Sequence, residues 1–296
     1  LYHLIFIVKI KIIMNVCILG DGLTSLTLAK TLVNQGIFVD IYSEKKIKKS
    51  NKFQTIGITK SNLEFFNEYI LNIEKLLWKI NKIEIYSKNL KDEKILNFEK
   101  KNDHFFSMVK NYQLYDYLIS ELKKNSFFKL KKNIGIEKLI KKNYGLIINC
   151  DPNNLLSKNF FYSKMQKDYK SYAHITIIKH KKMLDNNTAS QIFTELGPIA
   201  FLPVSENETS IVYSAKGDKD INFKNIIKKY NIKYLITEVG QTYTLKLKSS
   251  NLRAYSDGKI LAFGDLLHKV HPLACQGFNM IIRDIKLLLN LVKFKI

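Results

Sequence analysis

The sequence predicts an α/β protein organised around a parallel sheet of the nucleotide-binding type, and three observations carry that prediction. A short apolar run, Asn15 to Leu19, leads at once into the glycine-rich turn Gly20-Asp21-Gly22-Leu23-Thr24-Ser25 and then into a segment of helical periodicity. A second strand-like run, Ile37 to Tyr42, follows after Gly36 and delivers Glu44 just beyond its end. Near the C-terminus, a run closing on Gly264-Asp265 precedes another one-sided helix.

The first run is short and continuous, as suits a strand buried on both faces. In the helix, Leu26, Ala29 and Val33 recur at three- and four-residue steps with Leu28 and Leu32 alongside, and Gly36 supplies the C-terminal stop. Glycine lacks a Cβ and lets the backbone approach a pyrophosphate, whose charge the amides and dipole of the helix start stabilise. Glu44, about two dozen residues past Gly20, is placed to accept hydrogen bonds from a ribose diol. Ser25 stands where a glycine or alanine normally allows close helix–strand contact, and serine is small enough to serve. Gly20, Gly22, Leu23, Thr24, Ser25 and Glu44 are therefore the expected nucleotide contacts.

Composition narrows the class. With 296 residues the chain can bury a full core as one large domain or two intertwined ones. No stretch approaches the roughly 18 consecutive apolar residues of a membrane-spanning helix. The formal charge is +22, yet of 48 basic residues only Arg253 and Arg283 are arginine. Readers of bases and phosphates favour the bidentate guanidinium, so the lysine excess reads as the coding bias of an AT-rich genome, and nucleic acid is not expected as a partner. The remaining expectation for the lysines is peripheral contact with an anionic membrane face, worth about 1 kcal/mol per well-placed cation. Cys17, Cys150 and Cys275 are odd in number and far apart, which suggests neither a disulfide framework nor a zinc site and fits a reducing, cytoplasmic setting. The first thirteen residues, LYHLIFIVKIKII, carry Lys9 and Lys11 and no small-residue cleavage site, so Met14 is the expected start.

The most informative segment runs from Ile260 to Asn279. A buried strand ends in Gly264-Asp265, a turn carries His271-Pro272, and a helix begins at about Gly277 with apolar Phe278, Ile281, Ile282, Ile285, Leu288, Leu289 and Val292 on one side. This stretch resembles the G-D-A-A-H-x-x-H-P-x-A-G-Q-G-x-N-L-G-x-R-D signature of FAD-dependent aromatic-ring hydroxylases, within them the ubiquinone-biosynthesis branch. The agreement is Gly264, Asp265, His268, His271, Pro272, Ala274, Gln276, Gly277, Asn279, Arg283 and Asp284. The segment Ala189 to Pro203 is similar to that branch's A-x-x-x-F-T-x-x-G-P-x-A-x-L-P, and three of the chain's four prolines, Pro198, Pro203 and Pro272, fall on motif positions.

The resemblance implies a para-hydroxybenzoate hydroxylase-like fold: a three-layer Rossmann-like FAD domain from residues 14–75, 101–155 and 245–296, with an inserted, mostly β, substrate domain from 76–100 and 156–244. Within the insert, Ser171 to Lys179 and Thr209 to Ser214 alternate or run apolar as strands should. It further implies that Gly20, Gly22 and Ser25 face the FAD pyrophosphate, Glu44 the adenosine ribose and Asp265 the ribityl or pyrophosphate portion. Pro272, Gln276, Gly277 and Asn279 would line the isoalloxazine, and Gly264 and Phe278 are further expected cofactor contacts. The implied activity is monooxygenation of a polyprenylated phenol through a flavin C4a-hydroperoxide, with NAD(P)H as electron donor and O2 as co-substrate, beside other quinone-pathway enzymes at the inner face of the membrane. No side chain is required as nucleophile, and no catalytic residue is singled out. A non-catalytic scaffold, or another FAD oxidoreductase of the same fold such as a prenyl reductase or a halogenase, are the alternatives; the W-x-W-x-I-P signature of halogenases is absent.

His268 and His271 have metal-like spacing, but the motif explains both and no metal is expected. His104, His174 and His180 read as ordinary core or surface residues, and the lysines at 45–49 and 129–132 as solvated faces. The chain also departs from the family pattern. Cys275 replaces a glycine and Leu266-Leu267 two alanines; Asn149-Cys150-Asp151-Pro152 keeps only the aspartate of G-A-D-G; and Leu130 to Gly145 is short for the strand meander before it.

Overall fold

The structure, a computed structural model, describes residues 15–43, 54–87, 93–132, 135–140, 142–217, 220–269 and 276–293. Met14, Glu44, Lys45–Lys49, His271, Pro272 and Cys275 lie outside the described residues.

The described chain begins with β1 (Asn15–Leu19), α1 (Leu23–Asn34) and β2 (Phe38–Ser43), and β1 and β2 pair in parallel. There follow β3 (Thr55–Thr59), α2 (Lys60–Tyr69), β4 (Trp78–Ile80), the antiparallel pair β5 (Lys82–Ser87) and β6 (Glu93–Glu99), β7 (Phe106–Lys110), α3 (Asn111–Lys123), β8 (Phe128–Lys132), the short α4 (Ile136–Ile140), β9 (Leu146–Asn149) and α5 (Leu155–Phe160). The second half holds β10 (Lys164–His180), β11 (Thr188–Thr194), β12 (Gly197–Pro203), β13 (Glu208–Lys216), α6 (Phe223–Tyr230), β14 (Ile236–Val239), β15 (Tyr243–Leu252), β16 (Ser256–Asp257), β17 (Ile260–Ala262), β18 (His268–Lys269) and α7 (Gln276–Lys293).

Among the described residues these strands make three sheets. The first has six strands in the order β16-β17-β9-β1-β2-β8, parallel except at the β16 edge. Its central strands bury both faces by alternation: Val16, Ile18, Val39, Ile41, Leu146 and Ile148 pack with α1, α2, α3 and α7, while Cys17, Leu19, Tyr42 and Ile147 pack against Leu139, Leu156 and Phe161. Each such fully buried aliphatic side chain contributes about 1.5–3 kcal/mol. The second sheet has nine strands, β18-β15-β10-β13-β12-β11-β5-β6 with β14 on β10, and α6 covers one of its faces. The third is β3-β7-β4.

The expected strand at 37–42 begins one residue later. Gly36 (φ +74) and Ile37 close α1 by donating their amides to Val33 O (3.0 Å) and Leu32 O (3.2 Å), so Ile37 belongs to the helix cap. The runs Ser171–Lys179 and Thr209–Ser214 are strands and pair with each other antiparallel, from Ser171↔Lys216 to Lys179↔Glu208. Lys131 is not a simply solvated cation: it pairs with Asp40 on the neighbouring strand β2, which holds its ammonium pKa up against the opposing effect of partial burial. His174 and His180 are core residues, bonded to Thr244 Oγ1 (3.1 Å) and Thr209 Oγ1 (3.0 Å).

Candidate functional site

In the six-stranded sheet the chain leaves β1 for β2 on one side and returns to β9 on the other, so a crevice opens at the C-terminal ends of β1 and β9 where the order reverses. A cleft of about 590 Å³ occupies that position. Its walls come from four remote turns: Gly20 to Ser25 after β1, Cys150 to Pro152 after β9, Asp265 after β17, and Gly277, Phe278 and Ile281 at the start of α7. Gln54, Thr55 and Ile56 of the β3 segment and Asn111 close one side, and Ile175 and Val212 of the nine-stranded sheet roof it.

The turn after β1 is set by backbone geometry. Gly20 (φ +100) donates its amide to Tyr42 O at 2.9 Å, tying the turn to β2. The first helical amide to find an acceptor within α1 is Leu26, on Gly22 O at 3.0 Å, so the amides of Leu23, Thr24 and Ser25 are left without one in the helix. Gly22 supplies no side-chain cap, and the first turn holds no acidic residue. The result is a helix start with its donors and positive dipole end directed at the cleft.

Gly264 brings the second turn against the first. Its φ is +64, and a Cβ there would lie 2.6 Å from Thr24 Cγ2, so only glycine permits this approach. Asp265 follows on the cleft wall, open to solvent yet crowded by protein, and that desolvation raises its carboxyl pKa above the ordinary value, against the opposing pull of Lys269 and His268. His268 Nε2 lies 2.9 Å from Asp284 Oδ2, two buried atoms with no other partner among the described residues, so β18 is tied to α7 and the imidazole pKa is raised by that carboxylate. The Cys150 thiol in the cleft wall is pushed up to about 12 by burial and stays protonated.

Of the expected site residues, the structure thus brings Gly20, Gly22, Leu23, Thr24, Ser25, Asp265, Gly277 and Phe278 to one cleft, with Gly264 packed behind it. Gln276 is exposed and lines neither this cleft nor its neighbour. Asn279 is buried with its side chain committed elsewhere: Oδ1 accepts from Thr59 N (3.0 Å) and Asn62 Nδ2 (2.8 Å), and Nδ2 donates to Gly57 O (2.8 Å). It clamps α7 to β3 and α2. Leu266, in place of an alanine, is 7% exposed and fills the core beneath the sheet with Leu267 packed beside it, so this departure leaves the cleft clear. Glu44 and Pro272 lie outside the described residues.

A second cavity, of about 440 Å³, adjoins the first and shares Val212 with it. Gly57, Thr59 and Asn279 form one wall; Ile83, Ile85, Ala189, Ser190, Gln191, Pro198, Ala200, Leu202, Val212 and Ser214 of the nine-stranded sheet form the other, with Phe105 and Phe106 between. Sequence reasoning missed this wall. The signal was the alternation of small and apolar residues in 189–202, legible only once the strands' common face is known. Gln54, Thr55, Asn111 and Asn62 carry no motif and were missed too.

No family model matches the chain. It is similar to the ubiquinone hydroxylase UbiL of Rhodospirillum rubrum, 25% identical over 130 residues that cover 40% of this chain and 30% of the relative. It is also similar to the mitochondrial ubiquinone biosynthesis monooxygenase COQ6 of Danio rerio, 23% identical over 187 residues covering 48% and 39%. The matched stretches span well under half of these relatives. In fold it is similar to p-nitrophenol 4-monooxygenase PnpA of Pseudomonas putida DLL-E4 (TM-score 0.76, 12% identity, 96% of this chain and 80% of the other). A variant of 2-methyl-3-hydroxypyridine-5-carboxylic acid oxygenase gives 0.76 at 15% identity over 94% and 82%. CtdE, in complex with FAD and a substrate, matches over 94% of this chain and 80% of its own at 12% identity and a TM-score of 0.74.

Proposed function

We propose, from the premise that this chain belongs to the FAD-dependent aromatic hydroxylase superfamily, that it binds FAD along the cleft and hydroxylates an aromatic substrate held in the adjoining cavity. The observation that carries this reading is the convergence of two turns some 240 residues apart in sequence, Gly20–Ser25 and Gly264–Asp265, on one cleft that continues into an apolar chamber. The residues fit the cofactor. Gly22 has φ −74 and ψ 174, open to any residue, and a Cβ there meets no protein atom within 4 Å, so neither strain nor packing asks for glycine; close approach of a ligand does.

Gly22, Leu23, Thr24 and Ser25 would hold the pyrophosphate through main-chain donors, with Gly20, whose amide is held by Tyr42 O, shaping the turn, and Asp265 would meet the ribityl hydroxyls as an acceptor. Gly277 and Phe278 would border the ring portion. Asn279 would act there by positioning β3. Bound FAD supplies the redox chemistry: with two electrons from NAD(P)H and O2, one oxygen atom enters the ring and the other leaves as water. The chain's part is to orient the ring and to exclude water, which the apolar lining of the smaller cavity favours.

The finer reading is a polyprenylated phenol on the path to ubiquinone, supported by the distant relation to UbiL and COQ6 and by the apolar lining. Contact with other quinone-pathway enzymes and with a membrane face belongs to the same proposal. The division into an FAD domain (14–75, 101–155, 245–296) and a substrate domain (76–100, 156–244) is retained as a proposal too. The three-stranded sheet draws β3 and β7 from the first and β4 from the second, so the boundary runs through it.

The test is purification followed by an absorbance spectrum and NAD(P)H-dependent O2 uptake with product analysis, in wild type, Asp265→Ala and Gly22→Val. Wild type should be yellow. Asp265→Ala should lose most of its flavin, and Gly22→Val should keep its melting temperature and lose its flavin. Full occupancy in Gly22→Val would remove the cleft as the cofactor site.

A further inference from the structure

One row of side chains crosses the nine-stranded sheet in register from β5 to β10: Ile85, Gln191, Ala200, Val212 and Ile175. Residues paired in register share a face, and their chain neighbours point away. Accordingly Ile192, Ile199 and Ile211 enter the core beneath α6, whereas Ile85, Gln191, Ala200 and Val212 line the smaller cavity. Gln191 is thus a primary amide set between an isoleucine and an alanine on an apolar wall. It has no hydrogen-bond partner among the described residues. Among the other polar lining residues, Thr59 and Asn279 are engaged with each other, and Ser190 and Ser214 offer a single small hydroxyl each. A glutamine on an apolar wall, with both its donor and its acceptor unused, is matched to a ligand.

We propose that Gln191 is a specificity residue of this cavity, hydrogen-bonding an uncharged hydroxyl on an otherwise apolar aromatic substrate. The proposal rests on the monooxygenase reading and narrows its substrate class. None of the described lining residues is ionisable, so a ring bearing a carboxylate would enter without a counter-ion, at a large desolvation cost. A neutral phenol meets the amide as both donor and acceptor. The cavity therefore selects rings that carry no carboxylate.

The chain's single tryptophan, Trp78, packs, like Phe106 and Leu202, against the buried cluster that holds Ala189; the last three are residues of the cavity wall, so Trp78 emission is the readout of occupancy and needs no turnover. The experiment is a fluorescence titration of the purified protein with 2-geranylphenol, geranylbenzene and 3-geranyl-4-hydroxybenzoate. Wild type should bind the phenol about fivefold more tightly than geranylbenzene, the worth of one neutral hydrogen bond, and the benzoate more weakly than either. In Gln191→Leu, and in Gln191→Met as a second variant of near-equal volume, the phenol preference should vanish. A preference that survives in either variant with native Trp78 emission overturns the proposal, as does a wild type that binds the benzoate best or does not discriminate. FAD occupancy of the same preparations is a separate readout: protein that takes up no FAD defeats the monooxygenase reading, while the affinity ratio still decides the role of Gln191.

Discussion

The side chain of Asn279 ties α7 to the consecutive β3 and α2, some 220 residues away in sequence, and it does so by using its oxygen and its nitrogen for different jobs. The oxygen receives the Thr59 amide and the Asn62 side chain, while the nitrogen satisfies the Gly57 carbonyl. Truncation would strand the Thr59 amide and the Gly57 carbonyl, while Asn62 Nδ2 keeps its bond to the Asn279 main-chain oxygen at 3.2 Å. Asn279→Ala should therefore destabilise the protein by about 3 kcal/mol in urea unfolding, since each unsatisfied buried group costs roughly 1–3 kcal/mol. Asn279→Asp should also be destabilising, because it presents a second oxygen to the Gly57 carbonyl. A loss below about 0.5 kcal/mol in both would show that the clamp contributes little. The motif marked this position from sequence, but residue type alone does not say whether an amide faces a ligand or a neighbouring strand.

At the level of elements, the Gly264 turn is the contact that brings the C-terminal motif against α1. Gly264→Ala combines a left-handed backbone with a methyl at 2.6 Å from Thr24 Cγ2, and a loss of about 2–3 kcal/mol is expected. Adding Thr24→Ser removes the offending methyl and should recover all but about 1 kcal/mol, the backbone part; full additivity of the two substitutions would rule out the steric account. The His268–Asp284 pair makes the tie from β18 to α7 sensitive to pH. Its imidazole pKa is raised in the folded protein, so the stabilisation is fully present below the ordinary value of 6.5 and is lost as pH rises through the folded value. Melting temperature should fall over that window in wild type and lie flatter in Asp284→Asn, whose His268 resonance should titrate at lower pH; an unmoved imidazole titration would refute the pairing. The elements themselves were largely legible. β1 matched because four successive residues, Val16 to Leu19, serve two cores at once, whereas the start of β2 was misplaced because a Schellman cap consumes Ile37.

Across the whole molecule, legibility follows the range of the contacts. The parallel-sheet half was readable because strand, glycine turn and helix are consecutive, and local sequence dictates their geometry. The chamber's far wall was not, because it depends on β11 lying parallel to β5 about a hundred residues earlier, and register across such a distance leaves no periodic trace. The same topology makes a prediction about coupling. If FAD spans the cleft, it bridges the turn after β1 and the start of α7, which share no strand, and it contacts a roof that belongs to the other large sheet. Free FAD at about 100 times its dissociation constant should then raise the unfolding free energy by about 2.7 kcal/mol. Hydrogen exchange should slow together at Gly22–Ser25 and at Gly277–Ile281, with Val212 protected in the same titration. Protection that appears at the first turn alone would leave the far end of the cofactor without a seat in α7, and the cleft would then bind a simple nucleotide instead of a flavin.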